Sequence, residues 1–317
     1  SYLPLLGKDN ELKTKPTQSA VRTLNATGVQ PDIIIARAGV ALDNKRKEKI
    51  AFNCNVRVED VISAPDVTNI YEIPLNFEKD NLSVHILKKL GIKSRKQDLK
   101  DWAKFVNVIN QTKKSIKIGI VGKYFGTGNF VLADSYISVI EAIKHAAYAL
   151  GVKPTIEWLD AENINVADLK KFNGIVVPGG FGSRGVEGKI KVIKFCRENK
   201  IPYFGLCYGM QLAVVEFARS ILKWHNAHTT EVDAETTYPV IDILPEQKKN
   251  LTKKHYGATM RLGAYPALLK VGSIARQAYG YSLISERHRH RYEVNPEYIS
   301  QLENAGLKFP GTSPNGN

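Results

Sequence analysis

The sequence predicts an α/β protein whose main domain is an open, parallel β-sheet with helices on both faces. Two observations carry this prediction. From residue 116 onward, short apolar and β-branched runs alternate with longer helix-forming stretches, and one run turns directly into a helix at Gly205-Leu206-Cys207-Tyr208-Gly209. Repeated strand–helix units of this kind are typical of a parallel sheet, whose functional sites lie at the carboxyl ends of the strands.

The elements of this domain follow from the periodicity of its apolar residues. Strands are predicted where β-branched residues cluster, and helices where longer apolar-containing stretches follow them. Strands are expected at 116–121, 154–159, 174–177 and 201–204, and helices near 134–150, around Val166, at 188–198 and from Leu212 to Ala218. A helix therefore separates successive strands, as parallel pairing requires.

The segment from Gly205 to Gly209 has the pattern of a nucleophile elbow with cysteine in place of serine. A sharp strand-to-helix turn exposes the central side chain, and glycines on both sides avoid a clash with a Cβ atom. Because Cys207 would lie at a helix N-terminus, the helix dipole and free N–H groups are expected to favour its thiolate. The alternative is a core cysteine beside two turn glycines, since free cysteines are commonly buried. The flanking strand and helix favour the elbow.

A second glycine-rich turn, Pro178-Gly179-Gly180-Phe181-Gly182, directly follows the predicted strand at 174–177. Its unshielded backbone N–H groups could stabilise the oxyanion of a tetrahedral intermediate, or they could cradle a phosphate. The cysteine turn follows one strand later in the same predicted sheet, so the oxyanion function is favoured.

Composition limits the classes of function. The chain has 317 residues, of which 43% are hydrophobic and 24% charged, and this fits a globular protein of two domains. No apolar run is long enough to span a membrane and no signal-peptide pattern opens the sequence, so a cytoplasmic protein with no membrane partner is expected. The three cysteines form no disulfide framework, which suits a reducing compartment.

The net charge of +14 raises the question of a nucleic-acid partner. The basic residues lie in short separate groups, such as 45–47 and 93–96, without a recognition-helix motif or interleaved aromatic residues, so no nucleic acid is expected. A solvated lysine-rich surface and cations that face small polyphosphates both stay open as explanations. The spacing His225-x-x-His228-x-x-Glu231 resembles a metal motif, but nothing else converges on it and no metal site is expected in this chain.

The residues before 116 predict part of another α/β domain. The segment Lys13-Thr14-Lys15-Pro16-Thr17-Gln18 offers two cations and two hydroxyls to anionic oxygens, although a polar loop ahead of a helix has a similar composition. A strand at 29–37, a helix from Asn44 to Ala51 and a strand at 61–63 follow. The expected organisation is an α/β segment at 1–75, a linker at 76–113 with amphipathic helices around Leu82 to Leu90 and Leu99 to Ile109, and a second domain at 114–317.

Several ordered motifs together resemble the CTP synthase family over nearly the whole chain. They are residues 13–18, Gln30-Pro31-Asp32-Ile33, Lys49-Ile50-Ala51, Asn53-Cys54-Asn55-Val56, Val121-Gly122-Lys123-Tyr124, residues 177–182 and 184–188, and Arg287-His288-Arg289-His290-Arg291-Tyr292-Glu293. The resemblance implies that residues 1–75 are the C-terminal part of a P-loop-type synthetase (amidoligase) domain. It implies that residues 114–317 are a class I glutamine amidotransferase domain, truncated at its C-terminus. The implied reaction is the ATP-dependent amination of UTP to CTP, with ammonia from glutamine.

The resemblance also implies roles for single residues. Cys207 would attack the side-chain amide of glutamine, and the Tyr208 backbone N–H would donate to the oxyanion. Glutamine binding is implied for Gly180, Tyr208, Gly209, Met210, Gln211, Glu231 and Arg291, UTP or CTP binding for Lys13, Thr14, Lys15, Pro16, Thr17, Gln18 and Lys49, and ATP contact for Pro65, Asp66 and Val67. The charges of Glu231 and Arg291 suit the ammonium and carboxylate of an amino acid. The chain departs from the family pattern at Ser19, Pro65 and Tyr208, the last standing where leucine is usual.

Further ligands and an assembly are implied in the same way. ATP and Mg²⁺ would be bound by a glycine-rich loop and acidic residues that precede this sequence, GTP would activate the glutaminase, and CTP would inhibit by feedback. The complete protein is expected to be a homotetramer. The alternative is a catalytically silent regulatory or assembly module that binds nucleotides, which the intact cysteine turn disfavours.

A polypeptide of residues 1–317 is predicted not to turn over glutamine. A cysteine nucleophile needs an acid for the leaving ammonia and a base for water, usually a histidine oriented by a carboxylate. The sequence contains no His-x-Glu, and the family's pair is expected after a turn like the one at 311–314, beyond Asn317. Without the base, only residual catalysis from binding and the oxyanion hole should remain. The measurement is steady-state ammonia release, and rates close to those of a complete glutaminase would show that another residue acts as the base.

Overall fold

The computed structural model describes residues 1–6, 11–93, 95, 98–122, 136–243 and 260–314. It divides into two units, Ser1–Gln111 and Thr112–Asn317, which are treated in turn. The predicted residues Lys123, Tyr124 and Asp134 lie outside the described ranges.

The first unit is built around a parallel strand pair. β3 pairs with β4 along all five residues, and the backbone of residues 1–3 adds to the other edge of β3 through bonds such as Leu3 N–H to the Arg37 carbonyl at 2.8 Å. A short antiparallel pair, β1 with β2, precedes them. The strands are β1 (Leu5–Leu6), β2 (Glu11–Leu12), β3 (Ile34–Ala38) and β4 (Val61–Pro65), and the helices are α1 (Lys15–Ala26), α2 (Asn44–Cys54), α3 (Ile73–Lys79), α4 (Leu82–Lys89) and α5 (Lys100–Gln111).

The ends of α2 explain the local geometry of this unit. Asp43 caps the helix by accepting the Arg46 N–H at 2.8 Å. At the other end, the Gln30 side-chain amide donates to the carbonyls of Cys54 at 3.0 Å and Asn55 at 3.2 Å. This tie and the adjacent Pro31, which has no N–H, keep residues 29–33 out of the strand. The predicted strand at 29–37 therefore begins only at Ile34.

The region predicted as a linker folds into helices that belong to the first unit. α4 and α5 occupy the positions of the two predicted amphipathic helices. The Trp102 indole N–H donates to the Tyr71 carbonyl at 2.8 Å, and Asp80 accepts from the Ser63 N–H at 2.8 Å and pairs with Lys47 at 2.7 Å. The assignment of residues 76–113 to a linker stays a prediction.

The second unit contains the expected open, parallel sheet. Its four strands run in the order β6-β5-β7-β8 and are joined through helices. The strands are β5 (Ser115–Gly122), β6 (Lys153–Asp160), β7 (Gly174–Val177) and β8 (Tyr203–Gly205), the helices are α6 (Ile137–Ala149), α7 (Val186–Glu198) and α8 (Tyr208–Ser220), and a 3-10 helix covers Val166–Lys171. The predicted fold class is confirmed.

Helices cover both faces of this sheet. Ile120 and Val176 are register partners and pack with Ile140 of α6. Their neighbours Val121 and Val177 pack on the other face, in a cluster that includes residues of α7. Because successive side chains of a strand point to opposite faces, a near-continuous apolar strand is buried on both sides, as parallel sheets require.

The remainder of the second unit forms two smaller sheets. In one, β10 lies between β9, to which it is parallel, and β13, to which it is antiparallel; in the other, β11 lies between β12 and β14. The strands are β9 (Ala227–Thr229), β10 (Tyr238–Ile243), β11 (Arg261–Leu269), β12 (Leu283–His290), β13 (Tyr292–Val294) and β14 (Gly311–Thr312), with α9 (Ile274–Tyr279) and α10 (Pro296–Asn304). None of the described helices is long and apolar enough to cross a membrane.

Candidate active site

Cys207 lies in a strained turn between β8 and α8. Its φ of 50° and ψ of −103° place a non-glycine residue in a sparsely populated backbone region, and it is the N-cap residue of α8. Its side chain is exposed, whereas Cys54 and Cys196 are 1% and 0% exposed. The alternative of a core cysteine therefore does not hold for Cys207.

Two glycines permit this turn by allowing close backbone contact. A Cβ atom on Gly205 would lie 2.6 Å from Gly209 C and Met210 N, and one on Gly209 would lie 2.1 Å from the Val177 carbonyl oxygen. No side chain larger than hydrogen fits at either position without movement of the backbone. The first turn of α8 is thus held against the end of β7.

The glycine-rich loop after β7 meets the cysteine turn at this edge of the sheet. A Cβ atom built on Gly179 would lie 3.5 Å from the Cys207 Cβ, and the Leu206 N–H donates to the Val177 carbonyl at 2.9 Å. Both turns follow the carboxyl ends of neighbouring parallel strands, which is where sites form in such sheets. The backbone of the loop and the side chain of Cys207 therefore lie next to each other at the carboxyl edge of the sheet.

Glu231, which follows β9, contacts the glycine-rich loop after β7. Its Oε1 accepts the Gly182 N–H at 2.8 Å. Burial raises the pKa of Tyr208 and of Tyr292, and the Glu231 carboxylate raises each further; Arg291 lowers that of Tyr292. The Glu231 charge thus acts on Cys207, Tyr208 and Tyr292, and Arg291 adjoins Tyr292 in the chain.

The surroundings of the Cys207 thiol raise its pKa. Part of the side chain is open to solvent, while the surrounding turns desolvate the rest, and this burial raises its pKa. A backbone hydrogen bond with Tyr208 lowers the pKa and the Glu231 carboxylate raises it, so the net direction is upward. The expectation that the helix terminus favours the thiolate is wrong for this structure, because desolvation and a neighbouring anion outweigh it.

The other residues assigned to glutamine binding lie on α8 or in the loop. Gly180 is half-buried in the loop, Gly209 is buried, and Met210 is exposed in the first turn of the helix. Gln211 is buried, and its amide donates to the Tyr292 carbonyl at 2.7 Å. Its side chain therefore joins α8 to β13.

In the first unit, two of the assigned lysines surround one carboxylate. Glu11 forms an ion pair with Lys13, and the pKa of Glu11 is lowered chiefly by Lys13 and, less strongly, by Arg46 and Lys49. The charges of Lys13 and Lys49 thus act on the same carboxylate, although the sequence separates them. Sequence reasoning gave no role to Arg46 or Glu11, because the basic group at 45–47 has the composition of any solvated surface.

The remaining residues of the 13–18 segment divide between the surface and the interior. Lys15 and Pro16 are exposed in the first turn of α1. The other three are buried: the Gln18 amide donates to the Thr14 hydroxyl at 3.1 Å, and the Ser1 hydroxyl donates to that of Thr17 at 2.9 Å. These buried side chains fix the segment, and its exposed lysines carry the charge.

The residues assigned to ATP contact lie at the carboxyl end of β4. Pro65 pairs with Ala38 in the register, and the Asp66 N–H donates to the Ala38 carbonyl at 2.8 Å. The exposed Asp66 carboxylate accepts from the Arg37 Nε at 2.8 Å, and Val67 follows, half-buried. No group of three or more potential metal-ligating side chains occurs among the described residues.

Two family models match the chain, and each match lies within one of its two units. The family model for class I glutamine amidotransferases matches residues 131–317. The chain belongs to the class I glutamine amidotransferase family. The model for the N-terminus of CTP synthase matches residues 1–92, ahead of this amidotransferase match.

Similar proteins combine the same two parts. A CTP synthase of Methanocaldococcus jannaschii is 47% identical over 326 aligned residues, which cover 100% of this chain and 59% of that protein. One of Pyrococcus abyssi is 48% identical over 98% of this chain and 57% of its own length. This amidotransferase chain therefore spans less than two thirds of these relatives, and the predicted resemblance to CTP synthases is confirmed.

A solved structure matches the amidotransferase fold. It is described as the glutaminase domain of Trypanosoma brucei CTPS with bound acivicin, and it is 36% identical, with a TM-score of 0.57, over 64% of this chain and 77% of that chain. At this identity the likeness extends to the sequence as well as to the fold.

Two side-chain contacts at the candidate site had no signal in the sequence. Lys189 of α7 is 2% exposed, and its Nζ lies 5.3 Å from the centroid of the Tyr208 ring. The Tyr208 hydroxyl donates to the Gly182 carbonyl at 2.7 Å. Both contacts join residues from different elements, so only the folded chain reveals them.

Replacement of Glu231 by glutamine is predicted to shift the pH dependence of Cys207 alkylation to lower pH. A thiol with a raised pKa stays protonated at neutral pH, and its thiolate, the reactive form, increases only as the pH rises towards that pKa. Removing the Glu231 charge removes one of the causes that raise the pKa of Cys207. The measurement is the rate of modification by iodoacetamide against pH, followed by mass spectrometry.

Two controls accompany this comparison. Glu235→Gln removes an exposed carboxylate from the same segment and should leave the profile unchanged. Cys196, whose buried thiol has a pKa raised to about 11, should stay unmodified. An identical profile for Glu231→Gln and the parent protein would contradict the electrostatic assignment.

Proposed function

We propose that this chain forms the glutaminase and part of the synthetase of a glutamine-dependent CTP synthase. The observation that carries the proposal is the strained backbone of Cys207, held beside Gly179 at the carboxyl edge of the sheet. Strain of this kind costs about 1–3 kcal/mol and persists where the surrounding structure enforces it, typically at active sites. A silent module would have no use for such a turn around an exposed thiol.

The proposed chemistry uses Cys207 as a nucleophile. Its Sγ, after losing its proton to a base, bonds to the side-chain carbonyl carbon of glutamine, and the carbonyl electrons move onto oxygen. Backbone N–H groups of the loop and of Tyr208 stabilise that oxyanion. The C–N bond then breaks as the nitrogen takes up a proton, releasing ammonia and leaving a thioester. Water cleaves the thioester to glutamate and restores the thiol.

Charge complementarity supports glutamine as the substrate. Glu231, whose carboxylate raises the pKa of Cys207, and Arg291, which adjoins Tyr292, carry opposite charges. The substrate's α-ammonium and α-carboxylate carry the complementary pair. The Glu231 carboxylate also holds the Gly182 N–H, so its position is fixed before a ligand arrives. We assign Gly180, Tyr208, Gly209, Met210 and Gln211 to the walls of the same site.

The first unit is proposed to serve the acceptor nucleotide. Lys13, Lys15 and Lys49 are exposed or half-exposed cations, and two of them converge on Glu11, which suits the phosphates of UTP or of inhibitory CTP. Asp66 and its neighbours lie at the carboxyl end of β4, where ATP would bind. The ammonia would aminate UTP activated by ATP, and GTP would stimulate glutamine hydrolysis. The described residues gather no ligand set for Mg²⁺.

Assembly, location and domain boundaries belong to the same proposal. We infer a homotetramer of the complete protein in the cytoplasm, with a synthetase part at 1–75, a linker at 76–113 and the amidotransferase domain at 114–317. The support for these statements is the similarity to CTP synthases.

Cys207→Ala in the complete protein is predicted to abolish glutamine-dependent CTP formation while ammonia-dependent formation continues. Free ammonia bypasses the thioester, so only the glutaminase step requires the thiol. An electrophilic glutamine analogue should modify Cys207 and spare the buried Cys54 and Cys196. The measurements are CTP formation with each nitrogen source and peptide mapping after labelling. Glutamine-dependent activity in the alanine variant would refute the proposal.

Lys13→Gln and Lys49→Gln are predicted to weaken UTP and CTP binding by about tenfold or more, because charge-assisted contacts contribute about 1.5–3 kcal/mol each. Glu11→Gln should have the opposite effect, since it removes the anion that competes for Lys13. The control is Lys104→Gln, which removes an exposed lysine of α5. Calorimetric titration of the complete protein measures the affinities, and equal values for Lys13→Gln and Lys104→Gln would remove Lys13 from the site.

A further inference from the structure

Tyr208 connects the two halves of the proposed oxyanion site. Its backbone follows Cys207 directly, at the start of α8. Its side chain is 1% exposed and reaches the loop after β7, where the hydroxyl donates to the Gly182 carbonyl at 2.7 Å. One residue therefore contacts both the thiol turn and the glycine-rich loop.

The Gly182 residue is held through both of its backbone polar groups. Its N–H donates to Glu231 Oε1 at 2.8 Å, and its carbonyl accepts from Tyr208. Its φ of +76° is a backbone conformation that residues with a side chain rarely adopt. Because glycine is conformationally free, contacts with other elements are needed to fix this end of the loop. Pro178, with its restricted φ, begins the loop at the end of β7.

The Tyr208 ring also supports the middle of the loop. A Cβ atom built on Gly180 would lie 3.8 Å from the Tyr208 Cδ1, an ordinary packing distance, and 3.9 Å from Lys189 Nζ. The buried Lys189 ammonium lies over the ring, 5.3 Å from its centroid. The ring is thus packed against both a cation of α7 and Gly180.

We propose that the Tyr208 side chain is a positioning residue that sets the distance between the loop N–H groups and the Cys207 sulfur. The inference rests on the proposed glutaminase function. Oxyanion donors act only when they are fixed where the negative charge develops, so a loop released by about one ångström loses much of its effect. The Tyr208 backbone N–H would donate to the oxyanion directly. The ring and hydroxyl would support the oxyanion indirectly, by holding the loop whose N–H groups donate to it.

The test compares Tyr208→Phe with the parent in the complete protein. Loss of the hydroxyl leaves the Gly182 carbonyl without its donor, and kcat for glutamine hydrolysis should fall about tenfold while KM changes by less than about twofold. An aldehyde analogue of glutamine provides a second readout. The Cys207 S–H adds across its carbonyl, forming a C–S bond with the proton on oxygen, and this tetrahedral adduct uses the oxyanion donors. Its inhibition constant should rise by the same factor as kcat falls, because both report stabilisation of the tetrahedral oxygen.

The control is Tyr279→Phe, which removes a hydroxyl that is hydrogen-bonded at the surface to Glu286 and should leave both readouts unchanged. Ammonia-dependent CTP formation and the melting temperature verify the fold of each variant. Tyr208→Leu, which removes both the ring and the hydroxyl, is the second variant and should lose at least as much kcat. Parent-like kcat and inhibition in either folded Tyr208 variant would overturn the inference. Glutamine hydrolysis that survives in Cys207→Ala would instead refute the proposed function, and the inference with it.

Discussion

The close approach of α8 to the end of β7 determines the arrangement of the amidotransferase site. Gly209 lies so near the Val177 carbonyl that a Cβ atom would be 2.1 Å from its oxygen. This contact brings the turn after β8 and the loop after β7 together, although they come from separate strands. The strained backbone of Cys207 and its closeness to the glycine-rich loop are consequences of this contact. A larger side chain at 209 would have to move the helix away from the strand, and the thiol would leave the loop.

The electrostatics of the site follow from the same crowding. Desolvation by the two turns and the Glu231 carboxylate raise the pKa of the Cys207 thiol, against the hydrogen bond with Tyr208. Glu231 nevertheless accepts the Gly182 N–H, and in the proposed glutaminase it would also offer a negative charge to the substrate ammonium. That ammonium would offset the negative charge that disfavours the thiolate. The proposed function would thereby couple substrate binding and activation of the nucleophile through one carboxylate.

The sequence predicted what local patterns determine. The strand at 174–177 and the helix that begins at Asn44 appear where the local residue patterns place them. The G-x-C-x-G pattern predicted the elbow, because only glycine permits its backbone contacts. Non-local contacts were not predictable: the Gln30 amide shortens β3, and the Tyr208 hydroxyl reaches Gly182. The thiol pKa was predicted in the wrong direction, since a helix terminus is visible in a sequence and the packing around a cysteine is not.

The segment from Lys13 to Gln18 shows why a family motif does not equal a list of ligand contacts. Thr14, Thr17 and Gln18 are buried and hydrogen-bonded inside the first unit, whereas Lys15 stands at the surface. Buried hydroxyls and amides are costly unless paired, so these residue types are required for the fold of the segment itself. Their pairing fixes the start of α1, and this holds Lys13 and Lys15 at defined positions. In the proposed nucleotide site, the polar interior orients the cations, and the cations contact the phosphates.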